Sequence, residues 1–210
     1  MMQGKLLVIS GLSAAGKGTV AKALVEKFDN YVLSISATTR ERRGSEVDGV
    51  DYFFISRDDF KKRIDGGDFL EYAEYVGNFY GTPKSFVIEK LNAGINVILE
   101  IEMQGALKVK KVYDEAVLVF FLPKSAKVQK ERLINRKRDD ESQIKKRIQQ
   151  AIVDAEYAKH YDYILINDDL EDSIRDMQKI VNGTYDKSKN IESMKILDKI
   201  VSDIREEQNV

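Results

Sequence analysis

Gly11-Leu12-Ser13-Ala14-Ala15-Gly16-Lys17-Gly18-Thr19 decides how the rest of this sequence is read. Before it stands an apolar run, Leu6-Leu7-Val8-Ile9-Ser10, and after it a helix-like stretch from Val20 to Phe28. A strand that ends in a glycine-rich turn and then opens a helix is the setting in which backbone N–H groups wrap a phosphate. Gly11 and Gly16 permit backbone angles that a side chain forbids, so successive amides can face one anion. The helix N-terminus adds partial positive charge, and Lys17 adds a mobile full charge. The usual spacing, G-x-x-x-x-G-K-[ST], places a hydroxyl directly after the lysine. Here Gly18 holds that place and the hydroxyl arrives one residue later, as Thr19. The loop implies a nucleotide but not a reaction.

Composition narrows the class. A chain of 210 residues fits one domain with inserts or a tail, and 43% hydrophobic residues suffice for a core. A net charge of −1 supplies no global field toward nucleic acid or anionic membrane, so anion binding must come from clustered cations. The absence of cysteine excludes disulfides and thiolate metal sites and fits a reducing compartment. Leu6–Ile9 is too short for a signal sequence, and no run approaches the roughly twenty apolar residues of a membrane span. The expectation is a cytoplasmic protein without membrane or nucleic-acid partners.

Strand-like runs recur at Lys5–Ser10, Tyr31–Ser36, Ile95–Ile101, Ala116–Leu122 and Tyr163–Asn167. Residues 95–101 and 116–122 are apolar almost throughout, as in strands buried on both faces. Helical patterns at Lys17–Phe28, Pro83–Ala93, Gln104–Val112 and Ser125–Asn135 separate them, which predicts a parallel α/β sheet. Residues 36–82 break this rhythm with short polar and aromatic pieces and read as an insert with its own small sheet. From Glu141 to Lys159 a long helix is expected, with Ile144, Ile148, Ala151, Ile152 and Ala155 on one face. The cations around it, at 136–138 and 145–147, suit a lid in a chain that binds phosphate.

The most specific stretch after the loop runs from Thr38 to Phe54 in the pattern T-x-R-x-x-R-x-x-E-x-x-G-x-x-Y-x-F. Arg40 and Arg43, three apart, could converge on one phosphate as forked donors, and Tyr52 can add a phenol. Phe69-Leu70-Glu71-Tyr72 follows, then Gly77-Asn78-Phe79-Tyr80-Gly81-Thr82, Leu99-Glu100-Ile101-Glu102-Met103-Gln104-Gly105 and Ile166-Asn167-Asp168-Asp169. In this order, to about Gly183, the chain resembles the guanylate kinases.

That resemblance implies a three-layer α/β P-loop kinase with a parallel core sheet, a small mixed-sheet GMP-binding insert at about 36–90 and a helical lid at about 125–160. It implies a core unit over 1–183 and transfer of a phosphoryl group from ATP to GMP with Mg2+; residues 184–210 extend past the resemblance and are expected to be a helical extension. Around ATP it places Gly11, Ser13, Ala14, Ala15, Gly16, Lys17, Gly18, Thr19, Arg132, Arg136, Asn167 and Asp168. Around GMP, with dGMP a further candidate acceptor, it places Ser36, Arg40, Arg43, Tyr52, Glu71, Tyr80, Thr82, Glu100 and Arg147. Lys17, Arg40, Arg136 and Arg147 would act on the reacting phosphates, and the Gly18–Thr19 region with Glu100 would meet the metal through water. The chemistry of guanine supports the transfer independently. Its N1–H and N2–H2 are adjacent donors that the Glu71 carboxylate can accept, while Ser36 or Thr82 can donate to O6. Adenine would leave those groups unpaired.

The chain departs from the family in places. Where the family usually reads glycine-arginine-glycine-threonine-glutamate, this sequence has Asn135-Arg136-Lys137-Arg138-Asp139, and Glu100 and Glu102 stand where aspartate is frequent. Two other readings stay open: a non-catalytic guanylate-kinase-like binding module, and a kinase for another nucleoside monophosphate. The intact Gly16-Lys17 and lid arginines oppose the first, and Glu71 with Ser36 and Thr82 opposes the second. His160 reads as structural. In the tail, Ile191, Met194, Leu197, Val201 and Ile204 make one helical stripe. It fits either a helix folded back on the domain or a homodimer helix.

Overall fold

The computed structural model describes residues 3–75, 77–136 and 140–208; Lys137, Arg138 and Asp139 of the altered lid motif lie outside them. The strands in chain order are β1 (Leu6–Gly11), β2 (Tyr31–Leu33), β3 (Ala37–Thr38), β4 (Phe53–Phe54), β5 (Phe69–Tyr75), β6 (Asn78–Pro83), β7 (Asn96–Glu100), β8 (Val117–Leu122) and β9 (Tyr163–Ile166). The helices are α1 (Lys17–Lys27), α2 (Arg57–Asp65), α3 (Lys84–Asn92), α4 (Met103–Val112), α5 (Ala126–Asn135), α6 (Glu141–Ala155), α7 (Leu170–Asn182) and α8 (Lys189–Gln208).

A parallel five-stranded sheet in the order β2-β7-β1-β8-β9 forms the middle layer. Alternation along its strands explains the unbroken apolar runs. Leu6 and Val8 of β1 enter one buried cluster, with Val97 and Leu99 of β7 and Leu118 and Phe120 of β8. Leu7, Ile9, Ile98, Val119 and Phe121 enter the other. The first cluster lies under residues of α3, α4, α6 and α8, and the second under α1 and α7. Each fully buried Leu, Ile or Phe contributes about 1.5–3 kcal/mol, so both layers hold the sheet. From β1 the chain crosses to β2 on one side, while β8 connects to β9 on the other. That switch opens a crevice at the carboxyl ends of β1 and β8, where such sheets bind ligands.

The expected strand at 31–36 is shorter, and its ending has a cause. The Ser34 amide makes a last hydrogen bond to the Ile98 carbonyl at 2.9 Å, after which the Ser36 carbonyl accepts from the Phe53 amide. The chain therefore passes from the large sheet into a mixed four-stranded one, β4-β3-β6-β5, whose β5–β6 hairpin is antiparallel. Phe60 of α2 stacks on Phe69 and Phe79 at 4.5 and 5.3 Å and gives this small sheet its own core. The sheet closes at Pro83, because α3 buries Val87 and Leu91 in the large core.

Two helices outside the expected set, α2 and α7, carry side-chain start signals, as α5 and α6 also do. α2 begins at Ser56, whose hydroxyl accepts from the Asp59 amide at 3.0 Å. α7 begins at Asp169, which accepts from the Asp172 amide, and ends at Gly183 with φ 72°. The long helix expected to Lys159 stops at Ala155 and gives way to a short 3-10 turn, Ala158–His160, which leaves His160 exposed.

The tail folds back on its own chain. Leu197, Ile200 and Ile204 of α8 are buried with Ile164 and Tyr161, while Ile191, expected in the stripe, is 65% exposed. The buried stripe thus runs through Ile200 and leaves Ile191 outside. Asn190 fixes the start of α8 on the edge strand: its Oδ1 accepts from the Ile164 amide at 3.1 Å and its Nδ2 donates to the Asp162 carbonyl. An edge strand otherwise open to pairing is covered in this way.

Candidate active site

The glycine-rich loop leaves the carboxyl end of the central strand. Gly11 (φ 138°) has no room for a side chain, since a Cβ would stand 2.1 Å from the Phe121 carbonyl oxygen on β8. Gly16 (φ 86°) caps α1 without a side-chain bond, and the first turn carries no acidic residue; the Thr19 and Val20 amides turn back to the Gly16 carbonyl, which leaves the first amides of α1, at Lys17 and Gly18, for an anion. Ala14 also sits in the left-handed region at φ 60°, unusual for a residue with a side chain.

Lys17 folds over this loop and donates to the carbonyls of Gly11 and Leu12 at 2.9 and 3.1 Å. Burial pushes its pKa down, while Glu100, Glu102 and Asp154 pull it back up and Arg136 opposes them. The ammonium rests in a nest of oxygens that a phosphate can replace.

Three residues of neighbouring elements hold the loop in place. Asn167, after β9, donates from Nδ2 to the Ala15 carbonyl at 2.8 Å, and its Oδ1 accepts from Ser173 Oγ at 2.9 Å. Gln129 of α5 donates to the Ser13 carbonyl at 3.0 Å. Arg132, one helical turn on, donates from Nη2 to the Asn167 carbonyl at 2.9 Å, while its buried Nη1 has no partner among the described residues. Ala14, Gly16, Thr19, Arg132, Arg136 and Asn167, with Asp168 close by, line a cleft of about 410 Å3. Asn167 was expected to line this cleft and does, but its amide is committed to the loop. Asp168 accepts from Lys124 at 2.7 Å.

A second cleft, of about 240 Å3, lies where the chain passes between the sheets; Ser34, Ser36, Tyr52, Thr82 and Glu100 line it. Beside it Glu71 accepts from Thr82 Oγ1 at 2.9 Å, and burial raises its carboxyl above the usual carboxylate range, against the pull of that bond and of Lys108. Arg40 lies over the Tyr52 ring at 5.3 Å and donates to Glu46 at 2.8 Å. Tyr52 meets Tyr80 edge-on at 6.1 Å. Glu46 accepts from the Arg43 amide as well, at 2.8 Å, so one carboxylate sets both arginines. The Arg43 side chain is exposed on that loop. Arg147, on the exposed face of α6, lines neither cleft.

Gly18 and Thr19, grouped in the sequence, face different ways. Thr19 lines the larger cleft, whereas a Cβ on Gly18 would stand 3.0 Å from Glu100 Oε2. Glu100 therefore lies between the phosphate loop and the smaller cleft. Among the described residues no group of three or more acidic, His or Cys side chains could cage a metal. One carboxylate beside a phosphate loop suits Mg2+, which keeps its waters and takes most other ligands from phosphates. Sequence reading gave no role to Gln129 or Ser173, and placed Glu46 in the Thr38–Phe54 pattern without assigning it the two arginines it holds.

The family profile described as Guanylate kinase matches residues 3–184. The guanylate kinase of Clostridium perfringens (strain 13) is 48% identical over 179 residues, covering 85% of this chain and 83% of the relative. That of Clostridioides difficile (strain 630) is 46% identical over 185 residues, covering 88% and 90%. Among solved structures, guanylate kinase from Anaplasma phagocytophilum superposes with a TM-score of 0.68 at 30% identity, covering 90% of both chains. With the loop, the two clefts and both sheets in the order described, this chain belongs to the guanylate kinase family.

Proposed function

We infer that the two clefts divide the reaction of the family between them, transfer of the γ-phosphoryl group of ATP to GMP to give ADP and GDP. The larger cleft holds ATP, its phosphates on the amides of Gly11 to Thr19 and its base side near Asn167 and Asp168. The smaller cleft holds GMP. Ser36, Glu71 and Thr82 read guanine, Arg40, Arg43, Tyr52 and Tyr80 hold the monophosphate, and Glu100 faces the acceptor from the end of β7. The observation that carries this reading is the pair of clefts flanking one carboxylate and one lysine, which brings two phosphates to the same place.

A phosphate oxygen of GMP attacks the γ-phosphorus, the bond to the β-phosphate oxygen breaks, and ADP leaves. The attacking oxygen is already anionic, so no general base is required; repulsion between the two anions is the obstacle. Lys17, Arg132 and Arg136 stand where they neutralise it, and Arg147 joins them when α6 swings inward. That motion suits the first ten residues of α6, whose side chains are exposed apart from half-buried Ile144 and Ile148. Buried Gln129 and Leu133 instead fasten α5 to the core. Mg2+, held by the nucleotide phosphates and by Glu100 through water, would supply charge neutralisation at the β- and γ-oxygens. Residues 36–83 then serve as the GMP-binding insert and α6 as the moving part of the lid. We read α8 as a brace on the core, because its apolar face is used within the chain; a homodimer would have to form on Ile191 and its polar neighbours.

Phosphorus NMR of the protein mixed with ATP, Mg2+ and GMP tests the reaction. The reading expects GDP and ADP to accumulate in equal amounts, and none with Lys17→Ala. Hydrolysis of ATP to free phosphate without GDP contradicts it.

A further inference from the structure

We propose that Gly105, on the core helix α4, is a specificity-determining residue that seats the Glu71 carboxylate for guanine. The proposal rests on the reading of Glu71 as the guanine acceptor. The two residues come from different units: Glu71 from β5 of the small sheet, Gly105 from the first turn of a core helix. A Cβ built on Gly105 would stand 3.1 Å from Glu71 Oε2, 3.4 Å from Ile101 Cδ1 and 3.6 Å from Glu71 Cδ. Room to yield is scarce. Oε1 of the same carboxylate is held by Thr82, itself buried in β6, so the group is wedged between Thr82 and the bare face of α4.

No backbone reason requires glycine here. Gly105 has helical geometry and is not among the positive-φ residues. A glycine inside a helix costs stability relative to alanine, and this one is buried, where a methyl group would also add apolar contact. Helix and core both favour alanine at 105. What favours glycine is the neighbouring carboxylate, whose position decides whether guanine N1–H and N2–H2 find their acceptor. A displacement of a few tenths of an ångström in a desolvated hydrogen-bonded pair lengthens both bonds together. The same short segment carries Glu100 at the end of β7 and Glu102 at the cap of α4. Base recognition and the reacting end of the acceptor are therefore set by one piece of core backbone.

Gly105→Ala separates this role from a structural one, because the two predict opposite directions. Calorimetric titration of the full chain with GMP and, separately, with ADP, together with thermal melting, reads both. The proposal expects GMP affinity to fall at least tenfold and ADP affinity to stay within twofold, with a melting temperature unchanged or raised. Glu71→Asp, which shortens the carboxylate away from residue 105, should cost less in the Gly105→Ala background than in the wild type. GMP binding within twofold of wild type in Gly105→Ala overturns the proposal, as do equal losses for GMP and ADP or strictly additive effects of the two substitutions. Glu71→Gln tells the failures apart. If it leaves GMP affinity intact, the guanine reading itself is wrong and Gly105 falls with it. If it weakens GMP while Gly105→Ala does not, only the seat is wrong.

Discussion

Arg132 binds the backbone of Asn167 with one nitrogen and leaves the other, buried beside Gly16 of the loop, without a partner among the described residues. A buried guanidinium N–H without an acceptor is costly, and on the proposed reading the phosphates of ATP supply the acceptor. Arg132→Ala should weaken ADP binding by roughly 10–100-fold, the size of a charge-assisted hydrogen bond. It should leave GMP binding nearly unchanged. Calorimetric titration with each nucleotide checks this, and equal losses for both would argue for a collapsed helix α5 instead.

Glu71 predicts a pH dependence for one substrate only. Burial raises its carboxyl, so it takes up a proton at higher pH than an exposed acid and then loses an acceptor for guanine. The KM for GMP should rise as pH falls into that raised range, while the KM for ATP stays flat. Glu71→Gln should raise the GMP KM by on the order of 100-fold and abolish the pH effect. Parallel KM profiles for the two substrates would refute the assignment.

Lys17 predicts proton uptake. Burial holds its free pKa below the ordinary 10.5, and bound phosphates favour the charged form. Below the free value both states are protonated and affinity does not vary. Above it, binding must take up a proton, and affinity falls by up to about tenfold per pH unit. ADP titrations in two buffers of different ionisation enthalpy should give heats that diverge as pH rises through the lowered range and agree below it. Heats that stay identical at every pH up to the ordinary 10.5 would contradict the prediction.

The tail predicts a stability effect without a catalytic one. Leu197 is 2% exposed between α8 and the sheet. Leu197→Ala should cost about 3 kcal/mol, or about 6–12 °C in melting temperature for a chain of this length. Activity at 25 °C and native mass should not change. A drop in native mass would instead identify α8 as a subunit contact.

The core was legible because burial on both faces writes itself into β1, β7 and β8 as continuous apolar runs. The loop was legible because phosphate binding demands Gly11, Gly16 and Lys17 at fixed spacing. What escaped were contacts between distant residues. Nothing in the order of residues says that Gln129 reaches Ser13 across 116 positions. The adjacency of Gly18 and Thr19 likewise hid that one lies against Glu100 and the other lines the larger cleft. α7 was missed although Asp169 and Gly183 mark its ends and Ile174, Met177 and Ile180 recur every three residues on its buried face. In the tail the stripe holds at Met194, Leu197, Val201 and Ile204 and fails only at Ile191, with Ile200 joining it, since both fit a three-four repeat and only packing chooses between them.

The central claim is that this chain phosphorylates GMP and selects it by its base. A coupled assay of ADP release with ATP, Mg2+ and each of GMP, dGMP, AMP, UMP and TMP tests it most directly, with Lys17→Ala as control. The account predicts turnover with GMP exceeding that with AMP, UMP and TMP by several orders of magnitude, lost in Lys17→Ala and sharply reduced in Glu71→Gln. Comparable turnover with AMP or a pyrimidine monophosphate, or GMP turnover unaffected by Glu71→Gln, would contradict it.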